Sequence, residues 1–341
     1  MNWFDESRLD DETALGTVDL RLRTLAESGS RVRREAAAAE EALGEAVARA
    51  SDARPRAVIA AGPDSRLLRA VLEPWCPVPF VAWPNPGLPG WAGSLDLVVV
   101  LAPEGADAGA ASAVAEAVRR GCQVVVACPA SSMVAEHAAG RWSTVLPTVT
   151  GDQLATAVVM LGFLHQVALG PEAQPAEVAA SLDSVAMDCS PHRDISINQG
   201  KMLAISLADA SPLLWGGSVL AARAARRVAE NIRRSAGRTA LAGDAEHLLP
   251  VIEAARPRDV FADPFADEVG EGRPVLVLLD DRDDDPVVAE QRSVLLEAAR
   301  DHDVRVESIT SDAEGDVARY ASLLLEGTYA AQYLGLGLVP S

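Results

Sequence analysis

The sequence has few lysines, aromatic residues and cysteines. Lys201 is the one lysine among 30 lysines and arginines, and aromatic residues make up 4% of the chain. With so few aromatic rings, the core has to be built from Ala, Val and Leu. The four cysteines lack CxxC spacing, so we expect small buried thiols in a reducing compartment, no disulfide framework and a cytoplasmic location.

Several kinds of site are also missing from the sequence. The five histidines show neither HxH nor i,i+4 spacing, so no metal site is predicted. There is no GxGxxG and no GK[ST] ending, so no nucleotide cofactor is expected.

The apolar stretch 154–169 is too short to span a bilayer, and the N-terminus lacks a signal pattern, so no membrane contact is expected. The formal net charge of −19 argues against a nucleic-acid partner, because an acidic surface repels phosphate backbones.

Short apolar runs alternate with helical patterns along most of the chain. Residues 9–50 are rich in helix formers with opposite charges three or four apart, which predicts helices. We predict strands over 57–62, 78–83, 95–102, 122–128, 143–147, 211–218, 238–243, 274–281 and 304–310. We predict further helices over 65–74, 109–120, 151–169, 219–236, 287–303 and 315–337. The Pro-, Ala- and Glu-rich residues 170–183 are interpreted as a connection, and the acidic residues 279–286 as a solvated turn.

The alternation predicts an α/β fold. Continuous Val and Leu runs between helices are typical of parallel strands that are buried on both faces. The pattern occurs twice, so we expect two αβ halves of similar size. The predicted organisation is an N-terminal helical segment (1–50), a first αβα domain (51–170) and a second (171–341).

Ligands of parallel sheets bind where strands end and helices begin, because helix N-termini offer unpaired N–H groups. Hydroxyl and carboxyl side chains follow two of the predicted strands. The predicted ligand-binding residues are Asp64, Ser65, Ser131 and Ser132. The alternative for each is that it caps its helix without any ligand. A third loop, 101–112, carries Glu104 and Asp107, whose negative charges disfavour phosphate.

Two segments resemble a known family. "INQGKMLAISLADASPLLWGGS" and the closing "VARYASLLLEGTYAAQYLGLGLVP" are similar to the SIS-domain bifunctional phosphoglucose/phosphomannose isomerases, in their actinobacterial branch. The family's structural motif is matched here by Asn198, Lys201, Trp215 and Gly216. The resemblance implies two SIS-type (flavodoxin-like) αβα domains in tandem, a homodimer and a sugar-phosphate ligand. It also implies that Lys201 is a structural residue.

The catalytic groups of that family do not recur at the matching positions. Arg234 stands where the resemblance places the glutamate that shuttles the proton, and a guanidinium cannot accept one. Gly151 and Asp152 replace an expected arginine, and the phosphate loop is matched by 102–107, which has no hydroxyl. No lysine follows the last helix to match the family's terminal lysine. The nearest substitutes for the acid and the base are Glu230, Glu246 and His247.

Three functions remain open from the sequence. The first is a catalytically degenerate, SIS-type sugar-phosphate binding protein. The second is an active aldose–ketose isomerase that converts glucose or mannose 6-phosphate to fructose 6-phosphate with relocated groups. The third is a non-catalytic interaction module that presents its acidic surface to a basic protein. The first predicts a folded dimer without isomerase activity.

Overall fold

The structure is a computed structural model, and it describes residues 3–50, 54–255 and 272–339. Its strands are β1 (Trp3–Phe4), β2 (Val58–Ala61), β3 (Phe80–Trp83), β4 (Leu97–Leu101), β5 (Gln123–Cys128), β6 (Ser143–Pro147), β7 (Ala210–Gly216), β8 (Leu241–Ala242), β9 (Arg273–Asp280), β10 (Arg305–Thr310) and β11 (Leu338–Val339).

The α-helices are α1 (Glu12–Gly16), α2 (Asp19–Ala26), α3 (Ser28–Arg49), α4 (Ser65–Leu72), α5 (Ala108–Arg119), α6 (Met133–His137), α7 (Gln153–Gln166), α8 (Pro175–Asp188), α9 (Gln199–Ser206), α10 (Val219–Ala236), α11 (Ala245–Glu253), α12 (Pro286–Asp301) and α13 (Asp316–Gly337). No helix among the described residues has the length and apolar character needed to cross a bilayer.

The chain divides by its contacts into two compact units. The first αβ unit is Ser28–Ala180, and the second αβ unit is Met1–Glu27 together with Ser181–Ser341. The predicted α/β class with parallel sheets is confirmed, since each unit contains one parallel sheet.

The sheet of the first unit has the strand order β3-β2-β4-β5-β6, and all neighbouring strands are parallel. Every residue of β4, with the sequence LVVVL, is buried. This is the pattern expected for a strand covered by helices on both faces. Numbered within the unit, the order is 2-1-3-4-5. The strand that follows β2 in the chain, β3, therefore lies on one side of β2, and the next strand, β4, lies on the other side. The topological switch point, where ligands of such sheets bind, therefore lies at the ends of β2 and β4.

The sheet of the second unit has the order β10-β9-β7-β8, again parallel, and β1 pairs antiparallel with β11. The long helix α13 packs against α9 and α10. Its contact with α10 requires a glycine, because a Cβ atom at Gly335 would lie 2.3 Å from the carbonyl oxygen of Ser235. The switch point of this sheet lies at the ends of β7 and β9.

One sequence expectation is wrong. The composition of residues 170–183 predicts a connection, but α8 begins within them at Pro175. Proline is favoured at the first position of a helix, where its missing N–H has no intrahelical partner to lose. The alanines and the glutamate that follow are good helix formers. The proline therefore marks the start of a helix here and does not break one.

Candidate functional site

The carboxyl edge of the first sheet brings together the loops that the sequence selects. The chain turns sharply at Gly62, which has a φ of 87°, and α4 begins three residues later at Ser65. Gly62 packs next to the start of α5, since a Cβ atom built on it would lie 3.5 Å from the Cα atom of Ala110. The ends of β2 and β4 therefore meet at the switch point of the sheet.

The beginning of α4 differs from the other helix starts at this edge. Asp107, Ser132 and Asp152 cap α5, α6 and α7 by accepting backbone N–H bonds of 2.7, 3.2 and 2.9 Å. At α4, the residue in the capping position is Asp64, whose side chain makes no capping bond. Its carboxylate accepts instead from the side-chain amide of Gln153 on α7. Of the described helices that follow strands of this sheet, α4 is thus the one whose N–H groups are left without a side-chain cap.

Two buried hydroxyl groups belong to the two helices that meet here, one at the first residue of α4 and one in α7. Ser65 is 1% exposed and Thr156 is fully buried, and neither hydroxyl oxygen has a hydrogen-bond partner within the described part of the chain. Thr156 follows Gln153 by three residues on α7, so it shares the helix face from which Gln153 reaches Asp64. A buried polar group without a partner costs about 1–3 kcal/mol. Such a pair on two helices that meet therefore indicates a place where a polar ligand binds.

The four residues predicted to bind a ligand have different surroundings. Asp64 and Ser65 lie at the open start of α4, whereas Ser132 caps α6 and Ser131 is exposed beside it. Ser132 also packs tightly against the loop after β4, because a Cβ atom at Gly105 would lie 2.2 Å from its Cβ atom. Thr156 was missed by sequence reasoning, since a threonine within an apolar helix carries no local signal.

A buried glutamate fixes the loop between β6 and α7 at the same edge. The carboxylate of Glu35, on α3, accepts 2.8 Å bonds from the N–H groups of Val149 and Thr150 and a 2.6 Å bond from the Thr150 hydroxyl. Arg31, one turn earlier, donates to Asp152 at 2.8 Å. These bonds hold the first turn of α7, and with it Gln153 and Thr156, in place.

The carboxyl edge of the second sheet is acidic. Ser218 caps α10 with a 3.0 Å bond and donates its hydroxyl to Asp281. Burial raises the pKa of Asp281, and the bond from Ser218 partly opposes that shift. Arg292 pairs with Asp280 at 2.7 Å, so the positive charge of its guanidinium group is already balanced by a carboxylate of the same edge. Gly216 is required here, because a Cβ atom would lie 2.3 Å from the carbonyl carbon of Ala221.

The three residues named as substitutes for the acid and the base lie in the second unit. One of them is held in ion pairs, and the other two are exposed to solvent. Both oxygens of Glu230 are held by guanidinium groups, Arg227 at 2.6 Å and Arg234 at 2.5 Å. Glu246 and His247 are exposed on α11, and the Nδ1 atom of His247 lies 4.0 Å from a carboxylate oxygen of Asp244. None of these contacts joins Glu230 to the other two candidates.

Asn198 and Lys201 form a buried polar cluster with Asp10. Asn198 caps α9 by accepting from the N–H of Lys201 at 2.9 Å. The fully buried Lys201 ammonium donates to Asp10 at 2.6 Å and to the carbonyl groups of Pro191 and Arg193 at 2.8 and 3.0 Å. All three N–H donors of the ammonium are therefore used within the protein. Trp215, from the same sequence motif, is 1% exposed in the core.

The second unit also contains a carboxyl group with a strongly shifted pKa. Burial, with a smaller contribution from the neighbouring Asp188, raises the pKa of Glu326 on α13 from 4.5 to about 7. Between pH 4.5 and about pH 7, Glu326 is protonated in the folded protein, whereas the same carboxyl group has lost its proton in the unfolded chain. The contribution of Glu326 to stability therefore falls as the pH rises through this window and is constant above it.

We expect Glu326→Gln to remove this pH dependence. A shift of this size corresponds to about 3 kcal/mol. Because glutamine replaces the protonated acid, the variant should be more stable than the native protein by about 1 kcal/mol at pH 5.5 and by about 3 kcal/mol at pH 8. Urea unfolding at both pH values measures this, with the exposed Glu290→Gln as the control. Parallel pH profiles of the native and Glu326→Gln proteins would contradict the assignment.

Within the described ranges, no three His, Cys, Asp or Glu side chains form a group that could hold a metal ion. The four cysteines are unpaired, and all but Cys76 are buried. The polar groups that could meet a ligand at the carboxyl edge of the first sheet include hydroxyl groups, backbone N–H groups, the exposed Arg66 guanidinium and the carboxylates of Asp64 and Glu104.

Known proteins share features with this chain. Residues 196–338, less than half of the chain, match the family described as the bacterial phospho-glucose isomerase C-terminal SIS domain. The tagatose-6-phosphate ketose/aldose isomerase from Escherichia coli is similar in structure, with a TM-score of 0.61, 13% identity and coverage of 92% of this chain and 90% of that one. No curated protein matches the sequence.

Two more solved structures share the fold. The C-terminal domain of glucosamine-fructose-6-phosphate aminotransferase from Francisella tularensis has a TM-score of 0.60 and 12% identity, with 92% of this chain and 95% of that one covered. A glucose-6-phosphate isomerase like protein from Thermus thermophilus has a TM-score of 0.51 and 16% identity, with 89% and 91% covered. The fold and the match over residues 196–338 together support a relationship of this chain to the phosphoglucose-isomerase-like proteins with SIS domains.

Proposed function

We propose that the chain binds a sugar phosphate at the carboxyl edge of the first sheet, around the start of α4. The observation that carries this proposal is the helix start of α4, which has no side-chain cap, together with the buried hydroxyl groups of Ser65 on α4 and Thr156 on α7, which have no partner among the described residues. The N-terminus of a helix attracts a phosphate through its unpaired N–H groups and the positive end of its dipole. Ser65 supplies a further donor, and the Asp64 carboxylate is an acceptor for a sugar hydroxyl.

We further propose that this protein has lost the isomerase chemistry of the family it resembles. Aldose–ketose conversion needs a carboxylate base and a proton donor within hydrogen-bond reach of the same substrate carbon atoms. The nearest substitutes do not supply such a pair, since Glu230 is held by two arginines and Glu246 and His247 are exposed on another helix.

Ser65→Ala tests the binding site. The hydroxyl has no partner in the described part of the protein, so its removal should leave the free energy of unfolding unchanged or slightly raised. A hydrogen bond to a charged ligand contributes about 1.5–3 kcal/mol, so we expect the affinity for the sugar phosphate to fall about 10–100-fold. Thermal unfolding with glucose, mannose and fructose 6-phosphates measures this, since ligand at a hundredfold excess over Kd adds about 2.7 kcal/mol.

Ser132→Ala is the matched control. It removes a helix cap, so it should lower stability by about 1 kcal/mol while leaving the ligand-induced shift intact. Equal ligand shifts in Ser65→Ala and the native protein, or no shift in the native protein, would overturn the proposed site. Formation of fructose 6-phosphate from either aldose at the rate of an enzyme would refute the loss of catalysis and leave the binding site standing.

The oligomeric state and the cellular location are proposed on separate grounds. We propose a cytoplasmic homodimer, on the resemblance to dimeric sugar isomerases and on the free cysteines, which suit a reducing compartment. Light scattering of the purified chain measures the mass directly. A monomer at micromolar concentration would contradict the dimer.

A further inference from the structure

A cavity of about 280 Å³ opens at the amino edge of the first sheet, at the opposite ends of the strands from the proposed sugar-phosphate site. Its lining includes the first residues of three neighbouring strands, Leu97 of β4, Gln123 of β5 and Ser143 of β6. The end of α3 and the end of α7 close its sides. The cavity is at the lower limit of the range of about 300–1,000 Å³ typical of small-molecule sites, so it suits a small ligand and not a dinucleotide.

Much of the lining of the cavity is apolar, beside the polar Gln123, Ser143 and Thr144 at the strand starts. Ala46 from α3, Phe163 from α7 and Leu97 from β4 line it, and each is less than 5% exposed. Leu169, which follows α7, is also buried. These side chains offer van der Waals contacts and no hydrogen bonds, so the part of a ligand that enters between them has to be apolar.

The mouth of the cavity is cationic. Arg49, Arg54 and Arg141 line it, all three are exposed, and none of the described residues in the lining is acidic. Arg49 is paired with Glu45 at 2.5 Å, outside the lining. The guanidinium carbon atom of Arg141 lies 4.7 Å from the ring centroid of Trp142, which stands 57% exposed at the same mouth.

This arrangement is unusual for the chain as a whole. The formal net charge is −19, so most of the surface repels anions, and a cluster of arginines around an apolar cavity forms a local exception. A planar guanidinium pairs well with a carboxylate or a phosphate and also stacks on aromatic rings. The apolar interior and the cationic mouth together select a ligand with one anionic head group and one apolar body.

We propose that this cavity binds a small amphipathic organic anion, whose apolar body lies against Phe163 and Leu97 and whose carboxylate or phosphate group meets Arg54 and Arg141. The site is separate from the start of α4 and does not depend on the function proposed above. The ring of Trp142 adds a flat contact surface at the mouth. The contact of Arg141 with that ring holds its guanidinium group at the mouth.

The fluorescent anion 1-anilinonaphthalene-8-sulfonate is a suitable probe. We expect saturable binding to the native protein, weakened at least tenfold by the double substitution Arg54→Glu and Arg141→Glu and weakened by 0.5 M salt. The matched control is Arg226→Glu with Arg300→Glu, two exposed arginines of the second unit, which makes the same change in net charge and should leave the affinity within twofold. The single substitution Arg141→Gln should weaken binding about threefold. Because it is a milder change, it keeps the proposal testable if the double variant does not fold.

Two further measurements decide the chemistry of the ligand. Octanoate and octyl phosphate should each be tested for displacement of the probe. Displacement by either supports the proposal and identifies the preferred head group, whereas displacement by neither overturns it. The proposal is also overturned if the neutral N-phenyl-1-naphthylamine binds as tightly as the anion, or if the double charge reversal leaves the affinity unchanged. Ser65→Ala should leave probe binding intact, which keeps this test independent of the sugar-phosphate site.

Discussion

Replacing Lys201 by methionine is expected to lower the free energy of unfolding by about 3–4 kcal/mol, because it leaves two carbonyl groups without their donor and removes the partner of the half-exposed Asp10. The ammonium group is fully buried and serves Asp10 and two carbonyl groups, those of Pro191 and Arg193. Methionine fills a similar volume but donates no hydrogen bonds. Equilibrium unfolding in urea measures the difference.

Lys201→Arg should also destabilise the protein, by about 2 kcal/mol or more, although arginine serves as the basic residue everywhere else in the chain. The compact ammonium points three donors at three acceptors in different directions, while the larger guanidinium group presents its donors in one plane. Asp10→Asn is the control, and since Asp10 is half exposed its loss should cost less. A Lys201→Arg protein as stable as the native one would show that geometry does not explain the single lysine.

Replacing Glu35 by alanine is expected to lower the free energy of unfolding by about 3–4 kcal/mol. The substitution deprives two backbone N–H groups and the Thr150 hydroxyl of their acceptor. These donors are partly buried, so each loss costs about 1 kcal/mol, the lower end of the cost of a buried donor left unsatisfied. The truncated side chain also leaves a cavity. Because the loop that Glu35 holds leads into α7, we also expect weaker binding of sugar phosphate.

Glu41→Ala on the exposed face of α3 is the matched control for this effect. It makes the same chemical change on the same helix and should alter stability by less than about 0.5 kcal/mol. Urea unfolding and the ligand-induced shift are measured on both variants. A loss of stability that is equal in the two proteins would contradict the role given to Glu35.

The strands could be predicted because burial on both faces leaves a clear pattern. The runs LVVVL of β4 and QVVVAC of β5 are continuous and apolar, and both strands lie inside the sheet. The helix α10 spans Val219–Ala236, the predicted range, since Ser218 caps its start and Gly237 follows its end. Local signals of this kind are readable without knowledge of distant contacts.

The groups of the candidate site were only partly predictable. Ser65 follows a strand, so the sequence selects it, but the absence of a partner for its hydroxyl among the described residues depends on the packing around it. Glu35 acts on residues more than a hundred positions later in the chain, and Thr156 lies within an apolar helix. Such residues owe their positions to the tertiary fold, which no spacing rule encodes.

The same limit applies to the N-terminal helical segment. Its residues 3–27 belong with the C-terminal half and α3 belongs with the first sheet. The change between Glu27 and Ser28 falls at a Ser-Gly-Ser stretch, but this local signal does not tell which unit each side joins. It follows from contacts across the length of the chain, such as that of Arg8 with the carbonyl group of Leu336 at 2.9 Å.

The pairing of β1 with β11 has a consequence for the order of events during synthesis. Residues 3–27 are synthesised before the intervening unit, whereas their partners, including Lys201 and Leu338, follow that unit in the chain. The intervening unit, Ser28–Ala180, has all of its own contacts available earlier and can assemble while translation continues. Residues 3–27 therefore form their contacts with β11 and Lys201 only after the chain of the intervening unit has been made.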